Sequence, residues 1–191
     1  MDIITTPDSR LRQRCKKVNR PSEETSNIIA KMREASLAWE KEHPYELSAA
    51  MAAPQLGFDK RIIIIRDDLE DKKNANFTAL LDPEVIKTDG PLEKDYEGCL
   101  SVPSIYGLVS RPKKVKIKAL LEDGTPVRIK ADGSLARTLR HEIDHLNGIL
   151  FIDHIKGQKD AFFFMNDKGE LDPVNYDIDI KDNPRLWDDA A

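Results

Sequence analysis

The segment His141-Glu142-Ile143-Asp144-His145 constrains the fold most. Two histidines four residues apart share a face only on a helix, where both imidazoles can reach one metal ion. Glu142 then sits beside His145 and can reach the open position of that ion. Two of the chain's four histidines fall in this one turn. The flanking sequence predicts a helix that starts at Asp132-Gly133-Ser134, with Ser134 as N-cap, and closes at Asn147-Gly148, with the motif in its middle. Leu135, Leu139, Ile143 and Leu146 form a second stripe, centred about 135° round the helix from the histidines at ~100° per residue. One face is therefore expected to pack into a core while another presents ligands.

A catalytic metal held by two histidines needs a third protein ligand and an open position. The continuation HExxHxxGxxH has Gly148 in place, but Phe151 stands where its third histidine would be. A downstream carboxylate could come from Asp160 or Glu170, both in sequence that reads as loop or strand. Cys99 lies upstream, within Glu97-Gly98-Cys99-Leu100-Ser101-Val102-Pro103. A thiolate is a strong, soft ligand, although a free cysteine is as often a small buried hydrophobe. The residue pattern alone leaves these choices open.

The rest of the chain reads as short strands with few helices. Pro21-Ser22-Glu23-Glu24 starts a helix with Ser22 as N-cap, and Ile28, Met32, Ala35 and Trp39 give it one apolar face to about Glu42. Four isoleucines between Arg61 and Arg66 form a buried strand. Thr78–Leu81 and Glu84–Lys87 read as strand pieces around Asp82-Pro83. Lys114, Lys116 and Lys118 alternate with Val115, Ile117 and Ala119, a half-buried strand with a wet basic face that returns through Pro126–Ala131 as a hairpin. Ala161–Met165 and Tyr176–Ile180 look like strands around the turn Asn166–Gly169. The predicted class is α+β, with mostly antiparallel β-sheet around a central helix carrying HExxH.

Charge divides the chain unevenly. The net charge is −4, with 34 acidic and 30 basic side chains. Asn166–Ala191 holds eight acids against three bases, so the remainder is nearly neutral. Residues 1–165 are read as the catalytic domain and 166–191 as an acidic extension of the same domain, dispensable from Asp182 onward. Such a balance argues against direct nucleic-acid binding. No apolar run approaches the roughly 20 residues needed to cross a membrane, and the charged start of the chain does not resemble a signal peptide. Two cysteines, Cys15 and Cys99, make no disulfide framework, which points to a soluble chain in a reducing, cytoplasmic compartment.

Two of these segments carry a family resemblance. EGCLS at Glu97–Ser101 and HEIDHLNG at His141–Gly148 resemble the second and third signature motifs of peptide deformylases. IITTPDSRLR at Ile3–Arg12 resembles the N-terminal strand and PD-x-x-LR element of that family, and Ala52-Ala53-Pro54-Gln55-Leu56-Gly57 resembles the end of its first motif. The likeness runs over roughly residues 2 to 155. It implies that Cys99, His141 and His145 bind the metal, with water as fourth ligand. Glu142 would be general base and then acid. The Gln55 side-chain amide and the Leu100 backbone N–H would form an oxyanion hole, although Gln55 read alone is a surface or turn amide after Pro54.

The implied reaction is removal of the N-formyl group from N-formylmethionyl polypeptides, releasing formate. The implied partner is a nascent formyl-Met polypeptide, with transient proximity to the ribosome and no membrane contact. The resemblance favours Fe(II) in the cell, and a Cys/His/His set also accepts Zn(II), Ni(II) or Co(II). The family's first motif, G-x-G-x-A-A-x-Q, is altered: Ser48 and Ala50 replace its glycines, and Ala50 is expected to line the substrate cleft. Two other readings stand beside this one. They are another metal-dependent amidase or peptidase on the same scaffold, and a non-catalytic metal-binding module.

Overall fold

The computed structural model describes residues 2–69, 71 and 73–187. Its helices and strands, in chain order, are α1 (Glu23–Glu42), β1 (Ala50–Ala52), β2 (Ile62–Arg66), β3 (Phe77–Cys99), β4 (Val102–Leu120), β5 (Pro126–Asp132), α2 (Gly133–His145), α3 (Phe151–His154), β6 (Phe162–Met165) and β7 (Leu171–Pro173). The strands form one antiparallel sheet in the order β1-β2-β3-β4-β6-β7, with β5 pairing on β4. This is the expected α+β class.

The four isoleucines of β2 explain why the sheet is covered on both sides. Ile62 and Ile64 pack with Ile28, Ile29 and Met32 of α1, whereas Ile63 and Ile65 pack with Leu139, Ile143 and Leu146 at α2. Successive strand residues point to opposite faces, so one uninterrupted apolar run joins two cores. The α1 helix begins as its sequence predicts. Ser22 is the N-cap, and its hydroxyl accepts from the Thr25 N–H at 3.2 Å.

Several local expectations change. The two strand pieces around Asp82-Pro83 belong to the single long strand β3, which shifts register between Leu81 and Glu84. Asp82 adopts φ 50°, and its carboxylate accepts from the Val18 and Asn19 N–H groups at 2.8 Å each. The irregularity absorbs a proline that cannot donate to the ladder. The α2 helix starts at Gly133, so Ser134 lies inside its first turn and Asp132 is the N-cap residue, without a side-chain cap bond. The HExxH motif occupies the last five residues of α2 rather than its middle. Leu135 is exposed, and the core stripe of that helix begins instead at Ala136, followed by Leu139 and Ile143.

Tyr176–Ile180 forms a π-helical turn, not a strand. The Asn175 side chain accepts from the Asp177 and Ile178 N–H groups, and Tyr176 and Ile180 are buried while Ile178 is 79% exposed. A strand would have put all three on one face. The chain then continues onto the body. Leu186 and Trp187 are buried with Phe151, Ile152 and Phe162, and the Trp187 indole N–H donates to the Ile180 carbonyl at 2.6 Å. Part of the segment expected to be dispensable therefore belongs to the core; Asp188–Ala191 lie outside the described residues. No helix among the described residues is long and apolar enough to cross a membrane.

Truncating a buried tryptophan leaves a cavity and removes its transfer energy. Trp187→Ala is expected to lower the unfolding free energy by about 3 kcal/mol, read from urea denaturation.

Candidate active site

The β3–β4 hairpin closes on Leu100-Ser101, which places Cys99 at its tip, paired with Val102. The thiol sulfur is an acceptor from several sides. The Ser101 N–H lies 3.4 Å away, Gln55 Nε2 3.7 Å and His145 Nε2 3.2 Å. One donor atom from each of Cys99, His141 and His145 lies within 4.8 Å of the others. Ligand bonds of roughly 2.0–2.3 Å place tetrahedral donors about 3.5 Å apart, so small side-chain adjustments bring the three onto one ion. Asp160 and Glu170, the carboxylate alternatives, are not in this cluster.

Glu97 orients His141. The two residues meet through Nδ1 and Oε2 at 2.9 Å. The carboxylate can only accept here, so Nδ1 carries the proton and Nε2 is turned to the cluster. Burial acts to raise the Glu97 pKa, but hydrogen bonds from Arg111 and His141 outweigh it and hold the carboxyl far below its ordinary range. Arg111 grips Glu97 with two hydrogen bonds, Nε to Oε1 at 2.6 Å and a terminal nitrogen to Oε2 at 2.9 Å. Its other terminal nitrogen donates to Asp144 at 2.7 Å, which joins the hairpin to α2. Arg137, one turn before His141, adds a bond to Glu97 at 2.8 Å.

Electrostatics divides the helix of the two histidines. Burial opposes a proton on His141, but hydrogen bonds to Cys99 and Glu97 outweigh it and push its pKa well above normal. Burial, reinforced by the nearby His141 charge, pushes His145 well below normal. Burial raises Glu142 to about 7, with the His141 charge acting in the opposite sense. Glu142 Oε2 and His145 Nδ1 are buried without a hydrogen-bond partner among the described residues.

Gln55 stands in the 3-10 turn Ala53–Leu56, and despite following a proline it is only 1% exposed. Its Oε1 accepts from the Ala52 N–H at 2.8 Å, which turns Nε2 toward Ser101 Oγ at 3.1 Å and the Cys99 sulfur. The altered first-motif segment is anchored from behind. The Ser48 N–H donates to Glu40 at 2.8 Å, and its hydroxyl meets Ser36 at 2.9 Å. Glu40 itself pairs with buried Arg66 at 2.5 Å. Ala50, Gln55, Cys99, Leu100, His141 and Glu142 line one cavity of about 240 Å³. Ala50 belongs to edge strand β1 and is not among the residues with positive φ.

Sequence reading gave no role to Glu97, Arg111, Arg137 or Asp144. The only local signal is acidic Glu97 two residues before Cys99; nothing local marks Arg111, and only the hairpin brings it across to Glu97.

A thiol and two imidazoles converging beside a buried glutamate, in a cavity walled by an amide donor, define a metal-dependent hydrolase. Comparison with known proteins narrows the class. Residues 1–161 match the family model Polypeptide deformylase. A peptide deformylase of Halothermothrix orenii is 42% identical over 157 residues, covering 81% of this chain and 93% of its own. One of Hydrogenovibrio crunogenus is 38% identical over 160 residues, covering 83% and 88%. The crystal structure of a peptide deformylase from Synechococcus elongatus in complex with actinonin superposes with a TM-score of 0.71 at 38% identity, covering 83% of this chain and 82% of that one. The chain belongs to the polypeptide deformylase family, metal-dependent hydrolases that remove N-formyl groups from nascent polypeptides.

Removing one partner of a buried ion pair strands the other charge. Arg111→Met is expected to cost about 3–5 kcal/mol of stability by urea unfolding. Metal affinity should fall roughly 10–100-fold in a chelator competition, because Glu97 no longer holds His141.

Proposed function

We propose that Cys99, His141 and His145 hold one divalent ion, Fe(II) in the cell, and that Glu142, Gln55 and Leu100 hydrolyse the formyl amide of N-formylmethionine on new polypeptides in the cytoplasm, near the ribosome. The carrying observation is the Glu142 carboxylate, buried with one oxygen unpartnered among the described residues, in the cavity that three converging donor atoms share. A thiolate with two imidazoles also suits Zn(II), Ni(II) or Co(II). A divalent ion held by these residues would supply Lewis acidity and lower the pKa of a water.

The protein's own groups handle protons and charge. Glu142 takes a proton from the attacking water as the oxygen adds to the formyl carbon. It then gives that proton to the departing amine as the C–N bond breaks, leaving formate and a free N-terminus. A carboxyl raised to about 7 is suited to both directions near neutral pH. The Gln55 amide is held in one orientation by the Ala52 N–H, and its Nε2, which faces Ser101 and the Cys99 sulfur, turns a donor toward the developing oxyanion. The Leu100 N–H, at the hairpin tip, supplies a second donor. Each such donor can contribute about 3–4 kcal/mol to the transition state. Ala50 lies along the cleft wall where the substrate backbone runs, and its methyl replaces a hydrogen there.

Two substitutions separate base from ligand. Glu142→Gln should keep its metal by elemental analysis and lose about 10²–10⁴-fold in formate release from formyl-Met-Ala-Ser. Cys99→Ala should stay folded and lose metal; undiminished metal would remove Cys99 from the ligand set.

Ala50→Gly tests the cleft wall. It should lower KM for formyl-Met peptides, leave kcat within a few-fold and cost under about 1 kcal/mol of stability through added unfolded-state entropy. Steady-state kinetics with a three-residue and a longer peptide, together with thermal unfolding, measures all three.

A further inference from the structure

The cavity beside the metal ligands is bordered by a contact that the reaction does not use. Tyr106 of β4 lies on the backbone of Gly98, the residue before Cys99. A Cβ added at Gly98 would stand 2.5 Å from the Tyr106 ring. From there the Tyr106 hydroxyl donates to the Glu46 carboxylate, 60 residues away in sequence. Burial and the Glu46 carboxylate hold this phenol well above its ordinary pKa, so it remains a donor.

Glu46 sits in the loop between α1 and β1, and both ends of that loop are fixed. The His43 ring stacks on Trp39 at 3.9 Å, and Ser48 is pinned to Ser36 and Glu40. Between these anchors Tyr45 packs outside the cavity on the β6–β7 turn, where its Cβ and ring would meet a Cβ placed at Gly169. The loop therefore joins the α1 side of the cavity to Tyr106 of β4, and Tyr106–Glu46 is its hydrogen-bonded latch.

Residues 46–50 line one wall of the cavity in unbroken sequence. An extended peptide laid along that wall covers at most about 13 Å from Ala50 to Glu46, at roughly 3.3 Å per residue. With the formyl group at the metal ligands, a peptide laid along this wall toward Glu46 would meet the Tyr106–Glu46 pair.

We infer that Tyr106 is a specificity-determining residue for peptide length: paired with Glu46 it closes the downstream end of the cleft, and a longer formyl peptide binds only as this pair opens. The inference rests on the deformylase reading of the site and adds to it the part of the substrate beyond formyl-methionine. The cost of opening falls on long peptides and spares those that end before the latch.

The test uses metal-loaded wild-type protein and the variants Tyr106→Phe, Glu46→Ala and the double variant. Formate release is measured from formyl-Met-Ala and from a formyl-Met hexapeptide, and backbone hydrogen exchange over residues 45–47 is followed without substrate. Each single variant should raise the hexapeptide-to-dipeptide ratio of kcat/KM roughly 3–10-fold through a lower hexapeptide KM, the double variant should add nothing, and exchange over 45–47 should speed up. An unchanged ratio, or equal effects on both peptides, would overturn the inference. If wild-type protein releases no formate from either peptide, the deformylase reading falls instead. Exchange then decides the latch by itself, and unchanged protection in both single variants overturns it.

Discussion

The two-pronged grip of Arg111 on Glu97 is the interaction on which the site depends. It crosses the β3–β4 hairpin, and its third contact, to Asp144, reaches the helix that carries both histidines. Glu97 passes the constraint to His141 by fixing which ring nitrogen carries the proton. A buried carboxylate shared by Arg111, Arg137 and His141 is tolerable only when all are present, since each charge lost leaves the others desolvated. The arrangement gives up packing freedom around the hairpin tip, and in return Cys99 and His141 keep a set position relative to one another.

A second ion pair does similar work on the other wall. Arg66 and Glu40 are buried beneath the Ser48 backbone, where a surface pair would contribute little. They hold the strand entering β1 against α1. Because β2 is apolar on both faces, the same short strand positions this wall and the ligand helix together. Arg61 at its edge also donates to the Leu146 carbonyl and to Asn147, placing a cation at the C-terminal end of α2 just after the second histidine.

Much of this was legible in the sequence, for reasons that differ by residue. The HExxH spacing and the isoleucine run are local signals, and local periodicity is what a single sequence encodes best. EGCLS and the Gln55 segment were readable through the family motifs; without them, Gln55 passed for a turn amide. Glu97, Arg111 and Arg137 were illegible because their partners lie across a hairpin or on another element, and a basic residue in a basic stretch looks solvated. Tyr176–Ile180 failed for a different reason. Its alternation mimics a strand, but Asn175 offers the backbone a tighter local bonding scheme that no period-2 pattern reveals.

The N-terminal segment has a consequence for the order in which this molecule assembles. The Ile4 N–H donates to the Gln55 carbonyl, the Thr6 N–H to the Ser101 carbonyl and the Cys15 N–H to the Leu146 carbonyl. Arg12 also pairs with Asp153, across 141 positions of sequence. Gly148 can turn beneath this segment only because it lacks a side chain: a Cβ there would stand 2.2 Å from the Arg12 carbonyl oxygen. Arg12–Asp153 and Cys15–Leu146 close very long loops, so they are expected to form after the hairpins and helices that they clip together. Residues 4–15 are thus expected to be among the last to dock, because a chain that has emerged only as far as Cys99 has neither the helix of the two histidines nor the Leu146–Asp153 surface on which this segment rests.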